Sequence, residues 1–125
     1  MSIDWTKVIT VEDKFEQARE RKRGEIAAAR FEAETAGIDV NGFTVRTDRE
    51  SQSLITGAAL KAMQDSTYTC KWKGIDGFVE LTAPQIIAVA DGVRQHVQGC
   101  FDHEAELLPL IEAATTEAEL EAISW

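Results

Sequence analysis

The sequence predicts a single α+β domain over residues 12–125, preceded by an apolar N-terminal arm over residues 1–11. Two hairpin turn signals support this class, and each lies between segments whose apolar residues recur with helical spacing. The predicted order is a long helix, a β-hairpin, a helix, a second β-hairpin, a long helix kinked near Pro109 and a short C-terminal helix. Adjacent strands joined by tight turns and flanked by helices are typical of α+β domains.

The arm and the first helix carry the residues that we expect to bind a partner. These residues are Ile3, Trp5, Val8, Ile9 and Phe15. Thr10 is suited to cap the first helix, and Gly37 is suited to end it, because glycine takes the left-handed conformation at a helix C-terminus. The charged half at 12–25 offers only Phe15, Ala18 and the stem of Lys22 as a seam, and it predicts a solvated or partner-facing surface. The alanine-rich half at 26–36 is expected to dock on the core.

Asn41-Gly42 predicts the turn of the first hairpin, because both residue types tolerate the positive φ of a type I′ turn. The resulting register pairs Val40 with Phe43, so one face of the hairpin is apolar. The members of that face are Ile38, Val40, Phe43 and Val45.

Thr47-x-x-Glu50 is a capping-box pattern and predicts the start of a second helix, which ends at Asp65-Ser66. Its predicted buried face consists of Leu54, Ile55, Ala58, Ala62 and Met63. After it, the alternation of Tyr68, Cys70 and Trp72 with polar residues predicts a half-buried strand. A turn at 74–77 and a return strand at 78–81 complete the second hairpin.

The last two helices begin with capping boxes, Thr82-x-x-Gln85 and Thr116-x-x-Glu119. The long helix has an apolar seam, and Pro109 inside it predicts a kink or a break near residues 105–108. The seam residues are Ile86, Ala90, Val93, Val97, Cys100, Glu104, Leu107 and Ile111.

The composition excludes several classes of protein. The formal charge is −9, made up of −2 over residues 1–50 and −7 over residues 51–125. A phosphate backbone requires neutralising cations, so we expect no nucleic-acid partner. The sequence shows no membrane span or signal peptide, so we expect no membrane partner, and two cysteines are too few for a disulfide scaffold.

His96-x3-Cys100-x2-His103-Glu104 is the one concentrated set of reactive side chains, and positions 96, 100 and 103 fall on one side of the long helix. A zinc site that also uses Cys70 is one alternative, and a thiol nucleophile with a histidine base is another. We favour a packing role, because Cys100 lies inside the apolar seam and the histidines are about 10 Å apart along the helix. Without a glycine-rich phosphate loop or an oxyanion-hole pattern, we expect no cofactor, no metal and no enzymatic activity.

Two further patterns suggest contacts. Glu104 is expected to pair with Arg30 or Arg94, because a carboxylate in an apolar stripe needs a partner. The small residues Ala88, Gly92, Gln95 and Gly99 predict close packing against Ala27–Ala29, or otherwise a subunit contact in a homo-oligomer. The stretch 102–121 has seven acidic and no basic residues, which is typical of a solvated face and otherwise of a docking surface for a basic partner.

Four motifs, in order, resemble a domain of unknown function found in phages and prophages. They are Arg30-x3-Glu34-x2-Gly37-Ile38-x2-Asn41-Gly42, Thr47-Asp48-x2-Ser51-Gln52, Trp72-Lys73-x2-Asp76-Gly77 and Val93-x2-His96-Val97-x3-Phe101-x2-Glu104. The resemblance covers about residues 10–123. That domain is encoded among tail genes, often beside the tail fibre, and it sometimes forms the C-terminal part of proteins labelled tail-fibre assembly chaperones.

The resemblance implies a phage tail role with protein partners, and it carries over no catalytic residue. We therefore expect a non-enzymatic protein that binds the tail fibre, or another tail protein, and assists its assembly in the host cytoplasm. A permanent component of the tail or baseplate is the alternative, which would be located in the virion tail. A small acidic inhibitor of a host protein is a third hypothesis, suggested by the uneven charge.

Overall fold

The computed structural model describes residues 10–125 and confirms the α+β class and the order of the elements. The predicted contacts of Ile3, Trp5, Val8 and Ile9 lie outside the described residues. The helices and strands are α1 Val11–Glu34, β1 Ile38–Val40, β2 Phe43–Val45, α2 Arg49–Gln64, β3 Thr69–Gly74, β4 Gly77–Thr82, α3 Ala83–Ala113 and α4 Glu117–Glu121.

The described residues divide into two compact units. Unit 1 contains the described residues up to Arg30 together with His103–Trp125, and unit 2 is Phe31–Asp102. A single domain over residues 12–125 stays a prediction. No helix among residues 10–125 has the length and apolar character needed to cross a membrane.

Unit 1 is built around a core in which the charged half of α1 takes part. The buried members of this core are Ile26, Leu107, Ile111, Ala114 and Leu120, and Phe15, Ala18, Leu108 and Ile123 pack against them. The prediction of a solvated or partner-facing half is therefore wrong for its inner face. Two of its basic side chains donate hydrogen bonds to backbone carbonyl groups just beyond the C-termini of α3 and α4. Arg19 Nη2 donates to the Ala114 oxygen at 2.8 Å, and Lys22 Nζ donates to the Ile123 oxygen at 3.2 Å. Cations at helix C-termini satisfy unpaired carbonyls and oppose the helix dipole.

Helix α3 runs without interruption through Pro109, so a break near 105–108 does not occur. Leu107 and Ile111, on either side of the proline, are both buried in the core of unit 1. Pro109 has no backbone N–H, so one hydrogen bond of the helix is missing at this position. The burial of Leu107 and Ile111 on one face of the helix offsets this loss. The predicted seam is confirmed, since Ile86, Val93 and Cys100 are buried as well.

Both hairpins of unit 2 form antiparallel pairs. In the first, Val40 pairs with Phe43 as predicted, and the turn residues Asn41 and Gly42 have φ of 52° and 82°. In the second, Gly74 pairs with Gly77, which leaves a two-residue loop. The inward side chains of the hairpins contribute to two core clusters with α2 and α3, and they include Val45, Leu81 and the half-buried Trp72.

Helix α2 begins one residue later than the capping pattern predicts. Asp48 is the N-cap and accepts a hydrogen bond from the Ser51 amide, so the prediction of a Thr47 capping box is wrong. Thr47 is fully buried instead, where its hydroxyl donates to the Glu34 carbonyl at 2.6 Å and accepts from the Gly37 amide at 2.9 Å. Thr47 therefore ties the end of α1 to the start of α2.

The buried face of α2 is narrower than predicted. Ile55 and Ala62 are buried and Ala58 is partly buried, but Leu54 and Met63 are exposed. Residues 55, 58 and 62 fall within one narrow stripe at 3.6 residues per turn, and residues 54 and 63 lie on either side of it. These two apolar side chains are consequently available at the surface.

The small-residue stripe of α3 does not pack as predicted within unit 2. A Cβ added to Gly92 would lie 3.0 Å from Val40 Cγ2, so the neighbour of Gly92 is the first hairpin and not the alanine-rich part of α1. A Cβ added to Gly99 would meet nothing within 4 Å. Close approach of the α3 backbone to a neighbouring element therefore accounts for the glycine at position 92 but not for the glycine at position 99.

Candidate functional site

Cys100 and His96 lie together in unit 2, in an arrangement that suits packing. Cys100 is buried, and its Sγ is 3.9 Å from His96 Nε2. The same Nε2 is 2.8 Å from the carbonyl oxygen of Ala33, which can only accept a hydrogen bond, so Nε2 carries the proton. This tautomer leaves Nε2 no lone pair with which to take a proton from the Cys100 thiol.

The other members of the reactive set have separate partners in unit 1. Arg30 Nε donates to Glu104 Oε1 at 3.3 Å, and both side chains are mostly buried, as the predicted pairing requires. The ring of His103 stacks edge-on against Trp125 with 4.5 Å between the ring centroids. Among residues 10–125, no group of three or more histidine, cysteine or acidic residues could hold a metal ion.

Unit 2 has two exposed apolar surfaces, and the first is the outward face of the β3–β4 hairpin. We call it the hairpin surface and define it by the exposed residues Lys71, Lys73, Phe78 and Glu80 on the strands, together with Ile75 in the loop between them. Phe78 is 71% exposed and Ile75 is 58% exposed. The register pairs Lys73 with Phe78 and Lys71 with Glu80, so aromatic, basic and acidic side chains share one face.

The opposite face of the same hairpin is anchored to the core. Leu81 is buried in the cluster formed with α2 and the start of α3, and Cys70 and Trp72 pack against it. Burial raises the pKa of the Cys70 thiol, which keeps the thiol protonated and poorly reactive at neutral pH. Among the described residues β3 and β4 pair only with each other, so each strand has an edge that no other strand covers.

The second surface is a groove of about 620 Å³ between α2 and α3, which we call the α2–α3 groove. Its walls carry the exposed side chains of Leu60, Met63 and Ile87, which are 58%, 73% and 40% exposed. Asp91 and Arg94 are the only charged residues among those that line it. Both charges belong to α3, so the α2 wall is uncharged.

Sequence patterns predicted few of the residues in these two surfaces. The sequence pattern predicts Met63 on the buried face of α2, and it predicts Phe78 only as part of a return strand. The alternation in β4 was the available signal, because an inward Leu81 places Phe78 and Glu80 on the outer face. Phe15, predicted to bind a partner, is half-buried against the core of unit 1.

A known protein family matches most of the chain. The family described as "Domain of unknown function (DUF4376)" matches residues 17–124. No curated protein and no solved structure matches the chain.

Proposed function

We propose that this chain, which belongs to the DUF4376 family, is a non-enzymatic phage tail-associated protein that binds the tail fibre and assists its assembly. The phage context comes from the resemblance of its motifs to a domain encoded among tail genes. The observation that carries the binding role is the hairpin surface, where Phe78 and Ile75 are exposed beside strand edges that no other described strand covers.

An exposed apolar surface is unfavourable in water, and a partner that covers it removes this cost. An aromatic ring and an isoleucine in water forgo the free energy of burial, about 1.5–3 kcal/mol for each side chain that a partner covers completely. A strand edge that no other strand among residues 10–125 covers also offers backbone amide and carbonyl groups for pairing with another chain. Both features favour contact with an extended segment of a partner.

The charges of the hairpin surface support a protein partner. Residues 51–125 carry four basic and eleven acidic residues, and two of the four basic residues are Lys71 and Lys73. The acidic part of the chain therefore presents cations beside Phe78, where they can bind acidic or aromatic side chains of a partner.

Co-expression with the tail-fibre protein encoded nearest to this chain tests the binding role. The wild-type chain should elute with the fibre protein in size-exclusion chromatography, and Phe78→Ser should weaken binding at least about tenfold. Leu110→Ser is the matched control, because Leu110 is also an exposed apolar residue but lies in unit 1. Elution of the wild-type chain without the fibre, or equal binding by both variants, would contradict the proposal.

Mass spectrometry of purified particles tests the assembly role. An assembly factor leaves the fibre before the particle matures, so mature virions should contain no stoichiometric amount of the chain. A stoichiometric amount would instead indicate a permanent component of the tail or baseplate.

A further inference from the structure

We propose that the α2–α3 groove binds a second copy of this chain, with the two copies related by a two-fold axis. The observations behind this proposal concern the groove and not the hairpin surface. A failure of the tail-fibre proposal would therefore leave it unaffected.

The shape of the α2–α3 groove matches a helix pair. The lining residues recur every three or four positions over Gln52–Met63 of α2 and Ile87–Gln98 of α3. Each wall is thus about 17 Å long, or about three helical turns. A groove between two helices accepts the side-chain ridge of another helix, and two such pairs facing each other form a four-helix arrangement.

The exposed side chains of the groove supply the apolar contact. Leu60, Met63 and Ile87 point into water in the single chain, although they lie beside the buried Ile55 and Val93. A second copy would bring the same three residues, and each copy would cover the set of the other. An interface made of one patch used twice is the usual form of a two-fold dimer.

The two charged residues of the groove can each face the opposite charge on a second copy. Asp91 and Arg94 lie three residues apart on α3, and both are exposed. In a two-fold dimer, α3 can pack antiparallel against α3 of the second copy. If the two-fold axis passes between positions 91 and 94, each Asp91 lies opposite the Arg94 of the other copy. Asp91 accepts a hydrogen bond from Gln95 Nε2 at 3.3 Å in the single chain, and this surface contact can be exchanged.

Net charge also favours this surface as the place of self-association. Two copies carry −9 each and repel one another over most approaches. The residues that line the α2–α3 groove have no net charge, because Asp91 and Arg94 cancel. The groove therefore combines apolar area with local neutrality.

Sedimentation velocity over a range of concentrations at moderate salt tests the proposal. The wild-type chain should sediment with the mass of two chains. Asp91→Arg and Arg94→Asp each place like charges opposite one another and should weaken association at least about tenfold, whereas the double variant, with the charges exchanged, should restore the dimer. Restoration by the double variant is specific to a two-fold contact at these positions.

Two further variants separate the groove from folding and from other surfaces. Met63→Lys should give a monomer with an unchanged circular dichroism spectrum, because Met63 is 73% exposed. Leu110→Lys, in unit 1, should remain a dimer. A wild-type monomer at every concentration, or a dimer that Met63→Lys leaves intact, would overturn the proposal. So would a chain that dimerises only after residues 1–9 are removed, because the arm would then be the occupant of the groove.

Discussion

At the scale of single residues, the two glycines in the middle of α3 have different roles. Gly92 lies against Val40 of the first hairpin, and Gly99 faces open space. Gly99→Ala should raise the free energy of unfolding by about 1 kcal/mol, the usual gain in helix propensity. Gly92→Leu should lower it by about 1–3 kcal/mol, because the larger side chain overpacks the contact with Val40. Urea denaturation measures both, and equal effects of the two substitutions would contradict this placement.

Asp48 makes stability depend on pH through its capping hydrogen bonds. The hydroxyl of Ser51, and then its amide, donate to the carboxylate and hold the pKa of Asp48 below its ordinary value of 3.8. Because the pKa is lower in the folded state, the stabilisation is present above about pH 3.8 and is lost as pH falls below it. Asp48→Asn should remove this part of the acid dependence. Thermal melts between pH 2.5 and 6 measure it, and identical acid profiles for the variant and the wild type would contradict the assignment.

At the scale of elements, a buried carboxylate links α1 to α2. Glu34 is fully buried at the end of α1, and its side chain accepts hydrogen bonds from Arg49 Nη2 and Gln52 Nε2, both at 2.9 Å. Thr47, between the two helices, binds the Glu34 carbonyl with its hydroxyl. These contacts fix the path of the chain around the first hairpin.

Removal of the Glu34 charge should therefore weaken the link between the two helices. Glu34→Gln should lower the free energy of unfolding by about 1–3 kcal/mol, because Arg49 and Gln52 lose the charged acceptor that the buried carboxylate provides. Glu32→Gln is the matched control, since Glu32 is exposed on the same helix and should change stability by less than about 0.5 kcal/mol. Chemical denaturation compares the two variants, and equal stability would show that the buried network contributes little.

The helices and strands can be predicted from the sequence, because local chemistry determines them. Contacts between residues that are distant in sequence cannot be predicted in this way. The first hairpin follows from Asn41-Gly42, because the conformation of two residues sets the register. Thr47 has the pattern of a cap, but its partners lie 10 and 13 residues earlier, so no local rule could assign its buried role. The exposure of Met63 likewise depends on which stripe of α2 meets α3, and a run of apolar residues in sequence leaves this open.

At the scale of the whole molecule, part of the acidic C-terminal stretch has basic partners within unit 1. Arg23 Nη1 lies 3.5 Å from Glu112, and Arg30 pairs with Glu104. These contacts explain part of the uneven charge along the sequence, because basic residues of α1 meet acidic residues of α3. A basic partner for residues 102–121 is accordingly not needed to account for all of their acids.

The central claim is that the chain works by binding another protein through the hairpin surface. Hydrogen–deuterium exchange, measured with and without a saturating amount of the tail-fibre protein, tests this most directly. We predict slower amide exchange over residues 69–82 in the mixture and unchanged exchange over α4, which lies in unit 1. Unchanged exchange over residues 69–82 would contradict the claim.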